Sequence, residues 1–461
     1  MLVYILLLQL LVQGLIAVPI SEDTLGEQNT VTIIRYDRDS PFDQTRRKSS
    51  FLSTLSPITD GITRLGVQRV AVQPFQFTFI CTDAPPDVCA QARAGFERAG
   101  QLIAKSMQIT KTINVQARYR SFCNSAPPGQ GCMLNNTLGQ ASAAAYFSAK
   151  TGESDDWAFY PQALVKQLPR DHVLEFNKFD ILAEFNADYS FYFRGFNRPI
   201  QPTETDFEFV VCHELTHGLG FDTAWASYYS VYQGLTKDSS YLAPLVYANG
   251  TTPENSIVSN MEPINIFDTF QQRSSDNAAL KDMARAIASF PSTDINIIDY
   301  IKAFQVSGGP YNAARQVFSA VTAGVRSIYF KPKTGSSRIY LQTKKDIFQP
   351  GSSIAHLDYE QYWNGPDFLM IPAMQNLTGY TLDSIIAANT RNVGLNGGIY
   401  GPNIQSIMQA MGWPLLTDSI VSRISINPTP EKMKSGCLSD YANKMVITIA
   451  LTLLSVAMHL M

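Results

Sequence analysis

The sequence predicts an α/β (α+β) fold, with a twisted, mixed N-terminal sheet and helices, then a central helix and an irregular C-terminal subdomain. Apolar residues alternate along "VQRVAVQPFQFTFIC" and "TINVQARYRSFC", a period typical of strands. Between them, "PDVCAQARAGFERAGQLIAKSM" has the three- and four-residue spacing of a helix. The stretch "VVCHELTHGLGFDT" indicates a further helix that ends at a glycine turn.

The chain is predicted to divide into successive segments. After residues 1–17, the polar stretch 18–68 is a leader or short propeptide. Residues 69–414 form the main domain, divided into subdomains 69–222 and 223–414. The last helix lies in "IQSIMQAMGWP", and residues 415–434 form a polar linker.

Both chain ends predict secretion. Residues 1–17 are an apolar run of signal-peptide length. Residues 435–461 combine small residues, a polar spacer and an apolar tail, the layout of a GPI-attachment signal, with Ser435 or Gly436 as the attachment site. A tail-anchored span is the alternative. The prediction is a protein that reaches the extracellular face of the plasma membrane or the cell wall and contacts the membrane through a GPI lipid.

Charge and cysteine usage fit that location. The formal net charge is -3 and the longest basic run is "RRK", so nucleic acid is not an expected partner. Short sequence separations predict the disulfides Cys81–Cys89 and Cys123–Cys132. Cys212 is then a lone buried thiol. The glycosylation sequons begin at Asn135, Asn249 and Asn376.

Two histidines and a glutamate have the spacing of a metal site. Residues four apart lie on one face of a helix, so His213 and His217 can present two imidazoles to one ion. Glu214 points beside them, where it can take a proton from water without being a ligand. Thr205 and Glu208 form a predicted capping box at the start of this helix. Zinc suits the set because it accepts neutral imidazole and keeps an open position beside three protein ligands.

The third ligand must come from elsewhere. In the compact arrangement the next ligand would be at Thr223, which is a poor zinc ligand, and Asp222 is one residue out of register. His459 would leave with the tail, so His356 is the downstream histidine that remains. His172 lies upstream and is interpreted as an ordinary histidine.

The segments "HELTHGLGF" and "GSSIAHLDYEQYWNGPDFLMIPAM" resemble those of leishmanolysin-type metzincins, over roughly residues 70–414. The resemblance implies a zincin/metzincin-type catalytic domain with one catalytic Zn²⁺. It implies His213, His217 and His356 as ligands. It also implies Glu214 as the general base and Met370 in a methionine turn below the metal.

Four further residues are weaker candidates. Asp222 and Asp358 could be carboxylates that hydrogen-bond a ligand histidine, or turn residues. Tyr359 or Tyr362 could stabilise an oxyanion, although aromatic packing is the favoured interpretation.

The predicted function is a zinc metalloendopeptidase of the cell surface that acts on a peptide or protein substrate. One alternative is a gluzincin-type peptidase with Glu254 or Glu262 as third ligand. The other is a catalytically inactive GPI-linked surface or adhesion protein on the same fold. The presence of Glu214 argues against that inactive form.

Overall fold

The structure is a computed structural model. It describes residues 30–42, 46–56, 62–64, 72–124, 137–152, 155–226, 240–244, 246–249, 257–261, 263–291, 295–333, 337–389, 397–416, 418 and 420–429. Several predicted features lie outside these ranges: the signal peptide at 1–17, Cys132, Asn135, Glu254, Glu262, and the segment 435–461 with Ser435 and Gly436.

The described residues form an α+β structure. The strands are β1 Val31–Asp37, β2 Arg47–Ser53, β3 Ile62–Arg64, β4 Phe75–Cys81, β5 Ile113–Arg120, β6 Gly139–Ala143, β7 Ala145–Lys150, β8 Ala158–Pro161, β9 Ile181–Asn186, β10 Phe191–Tyr192, β11 Thr205–Asp206, β12 Trp225–Ala226, β13 Ala243–Pro244, β14 Val246–Asn249, β15 Ile257–Met261, β16 Gln271–Arg273, β17 Ile295–Asn296, β18 Ile328–Phe330, β19 Ile339–Tyr340, β20 Ile420–Ser422, β21 Ser425–Ile426 and β22 Pro428–Thr429.

Helices alternate with these strands. The α-helices are α1 Pro86–Ala104, α2 Gln162–Gln167, α3 Phe207–Gly218, α4 Leu280–Ala288, α5 Ile297–Gln305, α6 Gly309–Val321, α7 Tyr359–Tyr362, α8 Leu382–Asn389 and α9 Pro402–Met411. Short 3₁₀ helices span Ile266–Phe270 and Phe368–Met370. No helix among the described residues is long and apolar enough to cross a membrane.

One sheet is four-stranded and mixed, and its strands β4 and β5 lie in the stretches where the alternating patterns predict them. Its order is β4-β5-β9-β6; β4, β5 and β9 are parallel, and β6 runs antiparallel to β9. Strand β5 shows the physical basis, because its odd-numbered side chains, Ile113 to Tyr119, are buried and the alternate ones are not. The stretch "LGQASAAAYFSA" contains two strands, β6 and β7, which belong to different sheets.

Helices α1 and α3 pack together beside this sheet. The approach is close because small residues stand at the contacts. A Cβ on Gly95 would lie 2.8 Å from the Phe207 ring, and one on Gly218 would lie 2.5 Å from Ile181. Helix α3 is buried on nearly all sides, so it is a central element of the core.

A second sheet joins segments from both ends of the described chain. Strand β1 lies between β2 and β7, and also pairs with β22; β21 and β8 pair with β7. Residues 31–53 were predicted to belong to a leader, and residues 425–429 to a linker. Both segments are strands of the folded unit, so its limits do not coincide with the predicted boundaries at 69 and 414. Helix α9 matches the predicted last helix.

Candidate functional site

Helix α3 begins one residue later than the predicted capping box requires. The cap is Asp206, whose carboxylate accepts a hydrogen bond from the Phe209 N–H at 3.2 Å. Thr205 is in the short strand β11, and Glu208 forms an ion pair with Arg98 at 2.6 Å. The predicted Thr205–Glu208 box is therefore wrong: Asp206 is the cap, Thr205 pairs with Phe191 in a strand, and the Glu208 carboxylate contacts Arg98.

The helix ends at the predicted glycine turn. Gly220 has φ +110°, a conformation that glycine adopts readily and other residues do not. Its Cα also faces Pro161, which a Cβ would approach to 2.9 Å. The chain then reverses direction, and Phe221 turns its carbonyl back toward the helix.

Three imidazoles meet beside this helix. The Nε2 atoms of His213, His217 and His356 lie 3.0–3.2 Å from one another. His213 and His217 come from adjacent turns of α3, and His356 from the loop that precedes α7. The structure thus brings together the three predicted ligands, which can hold one metal ion through three nitrogen atoms.

The second nitrogen of each ring faces a backbone carbonyl. His213 Nδ1 donates to Leu369 O at 2.6 Å, His217 Nδ1 to Phe221 O at 2.6 Å, and His356 Nδ1 to Ser352 O at 3.2 Å. A carbonyl only accepts, so Nδ1 carries the hydrogen in all three rings. In a neutral imidazole, Nε2 then presents a lone pair toward the other two rings.

Electrostatics keep the rings neutral. The pKa of His213 is lowered to about 3, mainly by burial and secondly by the neighbouring His217 imidazole. Burial lowers that of His217 to about 4, and it also lowers that of His356 well below its usual value. Three lone pairs directed at one point repel one another, and a cation at that point removes the repulsion. Zinc–nitrogen distances of about 2.0–2.1 Å fit this triangle of atoms, so the donor set fits a zinc ion.

Glu214 lies next to the cluster and is 9% exposed. Its Oε2 accepts a hydrogen bond from the Ala141 N–H of strand β6 at 3.0 Å. Burial raises the pKa of this carboxyl to about 8, against the opposing effect of that hydrogen bond. The strand therefore fixes the position of a carboxyl group that exchanges a proton near neutral pH.

The histidines and Glu214 open into a cleft of about 620 Å³. One wall is β6, from Gly139 to Ser142, and β6 is the last strand in the order of its sheet. The opposite walls come from residues 349–352 and 371–375.

A family model described as SPBPB7E8-like matches residues 52–430, which include all three histidines and Glu214. The chain belongs to the SPBPB7E8-like family. It is 25% identical over 457 residues to a protein of Schizosaccharomyces pombe named as the uncharacterized protein PB7E8.01, covering 87% of this chain and 78% of that one. No solved structure matches this chain.

Met370 is fully buried in the 3₁₀ helix that packs against α3. Its neighbour Leu369 provides the carbonyl that orients His213. The predicted methionine-turn segment therefore lies beside the cluster, while the role of the Met370 side chain stays a prediction.

The predicted carboxylate partners do not bind the histidine rings. Asp358 caps α7 through the Gln361 N–H and pairs with Arg326 at 2.7 Å. Asp222 lines the cleft, but the Nδ1 positions are taken by backbone carbonyls, because the turns around the cluster point their oxygens inward. Thr223 donates to Asp268 at 2.7 Å, which agrees with its exclusion as a ligand.

The remaining candidates lie elsewhere. His172 pairs with Asp171 at 2.7 Å, outside the cluster. The Tyr362 hydroxyl accepts from the Tyr340 N–H at 3.3 Å, and burial raises its pKa to about 12. Neither Tyr362 nor Tyr359 is among the residues that line the described cleft, in agreement with the packing interpretation.

The cysteines follow the predicted pattern where they are described. Cys81 and Cys89 form a disulfide, and Cys212 is a free, buried thiol. Cys123 is also disulfide-bonded, and its predicted partner Cys132 lies outside the described residues. Asn376 is exposed, as a glycosylation site must be, and Asn249 lies in β14.

Sequence reasoning missed four groups that shape the site. They are the carbonyls of Phe221, Leu369 and Ser352 and the N–H of Ala141. Every residue has these backbone groups, so no side-chain pattern marks them. For Leu369, proximity to the predicted methionine turn was an indirect signal.

Proposed function

We propose that the protein is a zinc-dependent endopeptidase with a metzincin-type catalytic domain. The observation that carries this proposal is the convergence of three Nε2 atoms within 3.0–3.2 Å beside the Glu214 carboxyl in an open cleft. Structural zinc sites are closed by four protein ligands, whereas catalytic sites keep one position open. Three histidines facing a cleft correspond to the catalytic arrangement.

His213, His217 and His356 would hold the zinc ion. When bound, zinc supplies Lewis-acid activation of water and of the scissile carbonyl. The chain contributes neutral ligands, because the three carbonyls fix the tautomer and burial disfavours protonation. The turns that carry those carbonyls orient the three rings.

Glu214 acts as the general base and then as the acid. It takes the proton of the attacking water and delivers it to the leaving amine nitrogen as the peptide bond breaks. The Ala141 N–H keeps the carboxylate directed at the cleft. Burial raises the pKa of this carboxyl toward the working pH, which suits a group that must both accept a proton and return it.

Strand β6 supports a peptide as the substrate. It is the terminal strand in the order of its sheet, and its residues Gly139–Ser142 line the cleft beside Glu214. An extended peptide can add to such a strand through main-chain hydrogen bonds. This mode of binding suits an endopeptidase, because it requires no free chain end.

A location at the cell surface belongs to the same proposal. The Cys81–Cys89 disulfide supports an oxidising compartment. The apolar segments 1–17 and 435–461 support entry into the secretory pathway and a GPI anchor. Release of the protein from cells by a phosphatidylinositol-specific phospholipase would test the anchor.

The deciding experiment combines metal analysis with a peptidase assay on the secreted protein, wild type beside Glu214→Gln. One bound zinc in both proteins, with cleavage only by the wild type, is the expected result. Zinc in both proteins without cleavage by either would favour the inactive surface protein. Full zinc binding and activity in His356→Ala would instead favour a carboxylate third ligand, as in the gluzincin alternative.

A further inference from the structure

The first hairpin is built into the core of the domain. Strand β1 has neighbours on both sides, with Arg35 opposite Phe147 of β7 and opposite Ser49 of β2. Ile33 of β1 is fully buried in the main hydrophobic core. Removing β1 would therefore expose that core and leave an edge of β7 unpaired.

The chain that follows β1 runs along the cleft. The Arg38 N–H donates to Ala144 O at 2.9 Å, and the Gln140 side chain donates to Pro41 O at 2.9 Å. Arg38 and Pro41 line the same cleft as the histidine cluster. The hairpin thus continues the wall formed by strand β6.

Arg46, which precedes strand β2, contacts residues that are buried beneath the hairpin. It is 2% exposed, and its guanidinium lies 3.9 Å from the centre of the Tyr146 ring and 4.6 Å from that of Phe159. Its Nη2 donates to Asn265 Oδ1 at 3.1 Å. Asn265 in turn donates from Nδ2 to the carbonyl of Asp222 at 3.2 Å.

Asp222 belongs to the turn that orients His217. The preceding residue, Phe221, provides the carbonyl that accepts the His217 Nδ1 hydrogen bond. The following residues are held by Asp268, which accepts from Thr223 Oγ1 and from the Ala224 N–H. Side-chain contacts therefore connect Arg46 to the backbone around a candidate ligand.

Charge reinforces these contacts. Burial raises the pKa of Asp222, and the positive charges of Arg38 and Arg46 act against that effect. Asp268, also buried, has its pKa raised to about 7 by burial, with a smaller contribution from Asp222. Without the two arginines, the buried Asp222 carboxyl would lose its nearby positive charge, which is costly.

We infer that the β1–β2 hairpin is retained in the mature protein, where Arg38 and Pro41 of the segment after β1 line the cleft, and that Arg46 is a positioning residue for the turn bearing Phe221. The hairpin is then a permanent part of the site rather than a propeptide released on activation. The positioning role rests on the proposed function, because its readout is zinc affinity; retention of the hairpin does not.

The mature N-terminus tests retention. N-terminal sequencing and intact mass of the protein secreted by its own cells should place the first residue before Val31. A mature chain that begins beyond Ser53 and lacks the released segment would overturn the inference. This measurement requires neither zinc nor catalytic activity.

Zinc affinity tests Arg46. Chelator competition on folded protein should give a dissociation constant about 10–100-fold weaker for Arg46→Ala, the usual cost of losing support for a ligand. Arg46→Lys, which keeps the charge, should be weakened less. Arg47→Ala is the matched control, since Arg47 is exposed and pairs with exposed Asp39; it should equal the wild type.

Circular dichroism confirms that each variant is folded before it is compared. If Arg46→Ala does not fold, the Arg46→Lys value decides. Folded Arg46 variants with wild-type zinc affinity would refute the positioning role. If the wild type itself binds no zinc, the proposed function fails, and the retained hairpin is judged by the N-terminus alone.

Discussion

His213 Nδ1 and the carbonyl oxygen of Leu369 lie 2.6 Å apart, although 156 residues separate them in the chain. This contact fixes the tautomer of His213 and turns its Nε2 toward His217 and His356. Helix α3 and the 3₁₀ helix Phe368–Met370 therefore act together on one imidazole. The orientation of His213 therefore depends on residues far from the helical motif in the sequence.

His356→Ala should remove the third ligand. Zinc affinity is expected to fall by more than the roughly 10–100-fold that loss of a supporting contact costs, and cleavage should be abolished. Zinc content after dialysis and a peptidase assay measure both effects. The control is His172→Ala, which changes another buried histidine and should leave zinc and cleavage unchanged. Equal zinc content in the two variants would contradict the assignment.

Glu214→Gln should separate metal binding from chemistry. The variant keeps the shape of the side chain and the Ala141 contact, but it cannot accept the proton of water. We expect full zinc occupancy with cleavage lowered about 100- to 10,000-fold, the usual contribution of a general base. Steady-state kinetics on a peptide substrate provide the measurement, and unchanged turnover would exclude Glu214 as the base.

Zinc binding should release a proton from Glu214 at pH 7. In the metal-free site burial raises the pKa of Glu214 to about 8, so the carboxyl is mostly protonated, whereas the histidines are already neutral. A nearby divalent cation favours the carboxylate and expels that proton. Calorimetry in buffers of different ionisation enthalpy counts the protons. The Glu214→Gln protein should release fewer; identical counts would contradict the prediction.

Acid should destabilise the metal-free protein through its buried histidines. The pKa of His213 is lowered to about 3 and that of His217 to about 4. Above the unfolded-state pKa of about 6.5, each ring is neutral in both the folded and the unfolded chain. Below that pH only the unfolded chain takes up the proton, so the free energy of unfolding decreases as the pH falls toward the folded-state pKa. Each ring contributes at most about 1.4 kcal/mol per pH unit in that window.

Denaturant unfolding between pH 7.5 and 4.5 measures this loss. The slope for the wild type should exceed that for His217→Gln, because the variant has one fewer proton to bind on unfolding. Buried carboxyls such as Glu214 and Asp268 oppose the trend, but they are present in both proteins. Parallel curves for the two proteins would show that His217 is not held neutral by burial.

Asp206→Ala should destabilise the fold more than Thr205→Ala does. Asp206 Oδ1 accepts from Phe209 N–H, and Oδ2 accepts from Leu382 N–H of helix α8. Loss of a helix cap costs about 1 kcal/mol, and the second contact adds to that. Thr205 Oγ1 is buried without a hydrogen-bond partner, so its removal should cost less. Thermal unfolding of the two variants should reveal the difference.

The local pattern was sufficient for much of the fold. Strand β5 and helix α1 follow the predicted periods, because each buries one face of a regular element. The periodic pattern did not predict which residue caps helix α3. Thr205 and Asp206 are both good caps by type, and they differ in their tertiary contacts: Thr205 pairs with Phe191, and Asp206 also accepts from the Leu382 N–H.

The place of residues 31–53 in the fold also could not be predicted from the local sequence. Residues 31–53 are polar and mixed in composition, which favoured a leader. Their pairing with residues 145–147 and 428–429 involves partners more than 90 positions away, and no local pattern encodes such a pairing.

The sequence by itself determined the candidate chemistry: His213, Glu214 and His217 at helical spacing, with His356 as the remaining downstream histidine. Side-chain identity and helix geometry are enough for that choice, because residues four apart share a face. Only the tertiary structure decided that His356 reaches the same point, and that Phe221, Leu369 and Ser352 orient the rings. Those contacts are made by backbone carbonyls brought together across long stretches of chain, and their direction depends on the path of the folded backbone.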